Sequence, residues 1–99
     1  MSKEASDERG EAPRALDHVV ATDFEGGEGV LVDLNTKRYY QLNETAMLVW
    51  RGLENGLGPE EIAAEMTAGY DVTRERARES VEKILKNFQS LKLAAPRAE

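Results

Sequence analysis

The stretch KRYYQLNETAMLVW, residues 37–50, changes its period in the middle. KRYYQL (37–42) has the aromatic content and alternation of a strand. Asn43 then suits a helix N-cap, because its side-chain oxygen can accept a first-turn N–H. Beyond it, Ala46, Val49, Trp50 and Leu53 recur at i, i+3, i+4 and i+7, which is one apolar stripe of a helix. Met47 and Leu48 widen that stripe, so the helix should be well buried. Only Asn43 and Glu44 separate strand from helix, and no Ser, His or Cys in the stretch offers a nucleophile. An aromatic strand set directly against a buried helix decides how the rest of the chain must be arranged.

Upstream, HVVATDF (18–24) and GVLVDL (29–34) also read as strands. EGGEG (25–29) supplies the first turn, with Gly26, Gly27 and Gly29 able to take positive φ. NTK (35–37) supplies the second. Two short loops make a three-stranded antiparallel meander, whose third strand keeps one free edge. Downstream, Asn55 and Gly56 stop the first helix. Gly58-Pro59-Glu60-Glu61 starts a second, with Pro at the first helical position and acids in the first turn. Ile62, Ala63 and Met66 form its apolar face, and Gly69 ends it. Thr73 caps a third helix, where Ala77, Val81, Ile84, Leu85 and Phe88 hold one face. Glu79–Lys83 and Glu82–Lys86 are favourable i,i+4 pairs on its wet side. Strands first and helices second predict an α+β fold, a winged helix-turn-helix-like domain with a three-stranded antiparallel sheet followed by three helices.

The chain has 99 residues, which argues for one domain. Residues 1–15 are charged and poor in large apolar groups, so they are expected to be a disordered tail. Residues 95–99 are expected to be a frayed C-terminus. The domain is therefore expected to span residues 16–94. There are no cysteines, which removes disulfides, thiolate metal sites and cysteine nucleophiles together. No apolar run reaches the roughly 18 residues needed to cross a bilayer, and residues 1–14 lack an apolar signal region. A cytoplasmic protein with no membrane role is the expectation. Net charge is −6. It is uneven: residues 73–92 carry six bases against three acids, whereas residues 16–72 carry eleven acids against three bases. Overall acidity argues against bulk affinity for nucleic acid.

Little in the sequence invites catalysis. His18 is the single histidine and has no clustered ligands around it. Glu60 and Glu61 are adjacent on a helix and so face different ways, and the helix dipole already accounts for them. EGGEG lacks the Lys-Ser/Thr partner of a phosphate loop. No enzyme activity, cofactor or metal is expected. Of Tyr39 and Tyr40, one should pack inward and the other cover the outer sheet face. An aromatic on an unpaired edge can also hold an incoming strand. Lys37 and Arg38 have an alternative role as edge charges that deter unwanted pairing. Arg74, Arg76 and Arg78 form either a solvated face or one side of a groove.

These residues carry a resemblance. VLVDLNTKRYYQLNETAMLVW is similar to the segment Y-x-x-L-N-x-T-A-x-x-x-W of the pyrroloquinoline quinone biosynthesis protein D family. Its positions fall on Tyr39, Leu42, Asn43, Thr45, Ala46 and Trp50. EEIAAEM, GYDV and the long amphipathic helix ending in KLA also resemble that family, so the likeness spans about residues 18–94. The resemblance implies a small winged-helix-like, non-catalytic peptide chaperone. Such a domain recognises the leader of a ribosomally made precursor peptide and presents it to a peptide-modifying enzyme, often a radical S-adenosylmethionine enzyme. The leader is implied to lie as an added strand on the third strand, beside the third helix. Carried over, Arg38, Tyr39, Tyr40, Gln41 and Leu42 form the pairing edge. Helical periodicity then offers Arg74, Arg78, Val81, Glu82 and Leu85 as the wall. An acidic leader residue would match Arg74 and Arg78. The rival reading takes residues 60–88 as a helix-turn-helix whose third helix reads DNA. Glu75, Glu79 and Glu82 interrupt the basic surface that this rival requires.

Overall fold

Every second side chain is buried along the strand Gly29–Asp33: Gly29, Leu31 and Asp33 face inward, while Val30 and Val32 are half-buried on the other face. That alternation marks a central strand with one covered and one open face. A computed structural model describes residues 13–95. In chain order its elements are β1 (Arg14–Ala15), β2 (Val19–Asp23), β3 (Gly29–Asp33), β4 (Arg38–Leu42), α1 (Glu44–Glu54), α2 (Pro59–Gly69), α3 (Arg74–Ser90) and β5 (Ala94–Ala95). The three-stranded sheet has the order β2-β3-β4 and is antiparallel throughout. Leu31 lies between Ala21 and Tyr40 on the covered face, and Val32 lies between Val20 and Tyr39 on the open one.

Both hairpins follow from local chemistry. The β2–β3 connection is a short 3-10 turn, Glu25–Gly27, in which Gly26 (φ 81°) and Gly27 (φ 86°) take the left-handed conformation that glycine tolerates best. The β3–β4 connection is organised by Asp33. Its carboxylate accepts the N–H groups of Asn35 (2.9 Å) and Thr36 (3.3 Å), its carbonyl accepts from Lys37 N (2.7 Å), and Lys37 closes the turn at φ 66°. This is an Asx-type turn, the kind Asp favours.

Each helix begins where its capping residue stands. Asn43 Oδ1 accepts from Ala46 N at 2.9 Å, Glu61 Oε1 accepts from Gly58 N at 2.8 Å, and Thr73 Oγ1 accepts from Arg76 N at 3.1 Å. The helices bury their apolar stripes against one another and against the covered sheet face. Trp50 and Phe88 meet edge to face, with ring centroids 5.3 Å apart, beside Leu31, Val49, Ile62 and Val81. The Trp50 indole is satisfied by Glu54 Oε2 at 2.9 Å. Arg51 bridges Glu54 and Asp23, both at 2.6 Å, and so ties α1 to the end of β2. The α+β arrangement read from the sequence is therefore the observed one.

One boundary moves. Arg14 and Ala15, assigned by composition to the tail, pair with Ala95 and Ala94 as β1 and β5, and Leu16 N donates to the Leu93 carbonyl at 3.1 Å. The cause lies at the end of α3. Lys92 adopts φ 62°, Lys92 N returns to the Gln89 carbonyl (3.0 Å) and Leu93 N to the Phe88 carbonyl (2.9 Å). This left-handed cap reverses the chain and buries Leu93 and Ala94, which leaves β5 in reach of β1. The remainder of the expected tail, residues 1–12, and the chain end, residues 96–99, lie outside the described residues.

Candidate functional site

The phase of the sheet decides which main-chain groups of β4 are free. Phe24 N donates to the Glu28 carbonyl (2.7 Å) and Leu34 N to the His18 carbonyl (2.8 Å), and both bonds extend the β2–β3 ladder. In an antiparallel ladder, bonded and non-bonded pairs alternate. Val30 and Val32 therefore direct their N–H and C=O groups to β2, and Gly29, Leu31 and Asp33 direct theirs to β4. Their partners Leu42, Tyr40 and Arg38 turn inward in return. Tyr39 and Gln41 are left with both main-chain groups pointing away from the sheet. Asn43 continues this outward row with its N–H, while its carbonyl already accepts from Met47 N at 3.0 Å. Among the described residues no strand pairs with this edge.

Side chains alternate at right angles to that row. Arg38, Tyr40 and Leu42 lie on the helix-side face, where Tyr40 and Leu42 are half-buried against the core and Arg38 is exposed. Gln41 and Tyr39 lie on the open face, and Tyr39 is 73% exposed. The inward tyrosine is thus Tyr40 and the outer one Tyr39, an assignment that alternation alone left open. A hollow lined by Phe24, Glu28, Gly29, Gln41, Leu42 and Asn43 opens at the C-terminal end of β4.

The helical candidates separate into two groups. Val81 is fully enclosed and Leu85 is 6% exposed, so both belong to the core and stand behind any wall rather than on it. Arg78 contacts Glu60 and also binds Glu82 Oε2 through Nε (3.1 Å) and Nη2 (3.0 Å). Arg74 lies 3.6 Å from Glu60. Since Glu60 stands in the first turn of α2, the Arg74/Arg78/Glu82 flank of α3 faces that helix start. Its two arginines are already partnered. Arg38, by contrast, makes no ion pair among the described residues. Helical spacing puts Ser80, Ile84 and Asn87 on the opposite flank of α3, and Ile84 is half-buried there.

The chemistry set aside in the sequence has structural roles here. His18 Nε2 stands 3.6 Å from Asp33 Oδ1. Burial pushes the Asp33 carboxyl up, but hydrogen bonds from Thr36 and Asn35, with the nearby His18 charge, hold it below its ordinary value. The pair braces the open end of the β2–β3 ladder. Glu60 and Glu61 divide their work, one to the arginines of α3 and the other to the N-terminus of α2. No group of three His, Asp or Glu side chains among the described residues could hold a metal ion. Among the described residues, no helix is long and apolar enough to cross a membrane.

No curated protein matches the chain. Solved structures do. One is TbiB1 in complex with the TbiA(beta) leader peptide, similar over 87% of this chain and 99% of that chain, with 29% identity and a TM-score of 0.78. Another is a lasso peptide synthetase B1 complexed with the leader peptide, similar over 86% of this chain and 99% of that chain, with 27% identity and a TM-score of 0.76. The model of the family described as coenzyme PQQ synthesis protein D (PqqD) matches residues 28–94, from the start of the central strand to the chain reversal after α3, and the chain belongs to that family.

Proposed function

We propose that this protein is a non-catalytic carrier that binds the leader of a ribosomally made precursor peptide as a fourth strand on β4 and presents it to a peptide-modifying enzyme. The observation that carries this reading is the outward row of main-chain groups at Tyr39, Gln41 and Asn43, on a strand whose other edge is already paired. An extended peptide can satisfy such a row. Both related structures contain a leader peptide, which supports this class of ligand.

The outward groups allow up to five main-chain hydrogen bonds, worth about 2.5–7.5 kcal/mol at 0.5–1.5 each. Ordering five residues of a flexible peptide costs about 5–10 kcal/mol at 1–2 per residue. The ladder alone therefore comes out near zero, and side chains must supply the affinity. Tyr40, Leu42 and Arg38 provide that contact on the helix side. An acidic leader residue is better matched to Arg38 than to Arg74 or Arg78, which already hold Glu60 and Glu82. The same occupied arginines weaken the DNA-binding alternative, which needs them for phosphates.

Amide hydrogen exchange tests the proposal. A random 20-residue peptide library displayed on phage supplies a ligand, and exchange is then compared for the free and bound protein. The Tyr39, Gln41 and Asn43 amides should slow on binding, while the Tyr40 and Leu42 amides, bonded to β3 in both states, should change little. A selected peptide that leaves Tyr39 and Gln41 exchange unaltered would refute strand addition at β4.

A further inference from the structure

On the open face of the sheet, the residues opposite one another form a row that runs straight to the free edge. Val20 pairs with Val32, and Val32 pairs with Tyr39. Val20 is 45% exposed and Tyr39 73%, and Val32 between them is half-buried only by its neighbours. The next row, Thr22–Val30–Gln41, is more polar and ends in an amide. An apolar row that ends in an aromatic at an unpaired edge stops one residue short of cover, because a ring at the last strand has a neighbour on one side alone.

We infer that Tyr39 is a specificity-determining residue, which selects an apolar or β-branched residue at one position of the bound peptide, on the sheet face away from the helices. The inference rests on the strand-addition reading above. A peptide strand on β4, in either direction, places the residue opposite Tyr39 on the same face as its ring. Cross-strand aromatic–aliphatic pairs are favourable there, and the guest residue would extend the row from Val20 through Val32 and Tyr39. The residue opposite Gln41 shares that face but meets a polar end, so it is read weakly. The residue between them points to the helix side, beside Tyr40. The bound peptide is thus read on both faces, with alternate positions answering to different walls. The helix-side contacts at Tyr40 and Leu42 are then not the sole source of discrimination.

The absence of cysteine from the sequence makes the test clean. A Tyr39→Cys variant, mixed with single-cysteine versions of a library-selected peptide, should form a disulfide most readily with the one peptide residue that lies opposite position 39. That residue is then changed to Ser, and affinity is measured for wild type and for Tyr39→Ser. The high exposure of Tyr39 leaves the fold of the variant intact, which thermal unfolding checks. On wild type the peptide change should weaken binding about two- to fivefold, the range of a cross-strand pair. On Tyr39→Ser the same change should have little effect. Equal losses on both proteins, with Tyr39 and Gln41 amides still protected by the peptide, would overturn the role of Tyr39 and leave strand addition standing. Absence of that protection would instead remove strand addition, and this inference with it.

Discussion

A proline at position 41 should separate binding from folding, and a proline one residue earlier should not. Gln41 is exposed, and its N–H belongs to the outward row, so Gln41→Pro removes no hydrogen bond from the free protein. Proline is tolerated at such edge positions, and the extended Tyr40 before it already has the conformation proline demands of its predecessor. Free-state stability should move by less than about 1 kcal/mol, because the unfolded chain is also stiffened. In the complex, the variant leaves one peptide carbonyl without a partner. An unsatisfied acceptor at a closed edge costs about 1–3 kcal/mol, so affinity should fall about 5- to 150-fold. Tyr40→Pro is the opposite case. Its N–H is bonded to Leu31, and its ring packs on the core, so losing both should cost about 2–4 kcal/mol. For a domain of this size that is a drop of roughly 8–32 °C in melting temperature at about 4–8 °C per kcal/mol. Calorimetric titration with a library-selected peptide and thermal unfolding read the two effects. Unaltered peptide affinity in a folded Gln41→Pro protein would refute pairing at that position. Equal thermal losses in the two variants would refute the ladder phase itself.

Other expectations follow from individual contacts. Arg38→Glu should weaken a peptide bearing an acidic residue by up to about fivefold, the upper end for exposed ion pairs, and flatten the salt dependence of its binding, whereas Arg78→Glu should leave both nearly unchanged; the reverse ranking in salt titrations would return the charge role to α3. Gly52→Ala gains up to about 1 kcal/mol of helix propensity but sets a Cβ 2.6 Å from Cγ1 of the fully buried Ile62, so overpacking of about 1–3 kcal/mol should win and lower the denaturation midpoint. Because the folded Asp33 carboxyl lies below its ordinary 3.8, its stabilisation is complete above that pH and is lost as pH falls through the lower folded value; Asp33→Asn should lack this acid-sensitive component in unfolding curves between about pH 5 and pH 2.

The sheet was legible because its period survives in GVLVDL and RYYQL, and the three helix starts because Asn43, Pro59 and Thr73 stand where end groups need partners. The β1–β5 ladder was not legible. Two alanines and an Arg-Ala pair carry no strand chemistry, and they meet only because Lys92 reverses the chain after α3. Site residues were harder for a different reason. Periodicity names the buried stripe of α3 but not which flank borders which neighbour, so Val81 and Leu85, the core of that stripe, also looked like groove lining. The partners of Arg78 include Glu60, eighteen positions earlier on another helix, and no local pattern announces that contact. On β4 the sequence marked the whole edge. The division into outward Tyr39 and Gln41 and inward Tyr40 depends on the register with β3 and β2, which is a property of three strands together.

A free strand edge is a hazard in water, because any extended chain can pair with it, including a second copy of itself. Several features limit that hazard here. β4 is five residues long, its row of open groups ends at the left-handed Lys37 on one side and at the helix cap Asn43 on the other, and Lys37 and Arg38 place charge at its start. On the strand-addition proposal, these same features set what binds well. A guest strand must be short, must tolerate or match Arg38 at one end, and must fit Tyr40 on one face. Since the ladder nearly cancels against the cost of ordering, a peptide that meets none of these conditions gains nothing by pairing. Selectivity then comes from the side chains: a longer β4 would add main-chain bonds and residues to be ordered together, two terms that nearly cancel, so the sequence-dependent contacts would still decide which peptide binds.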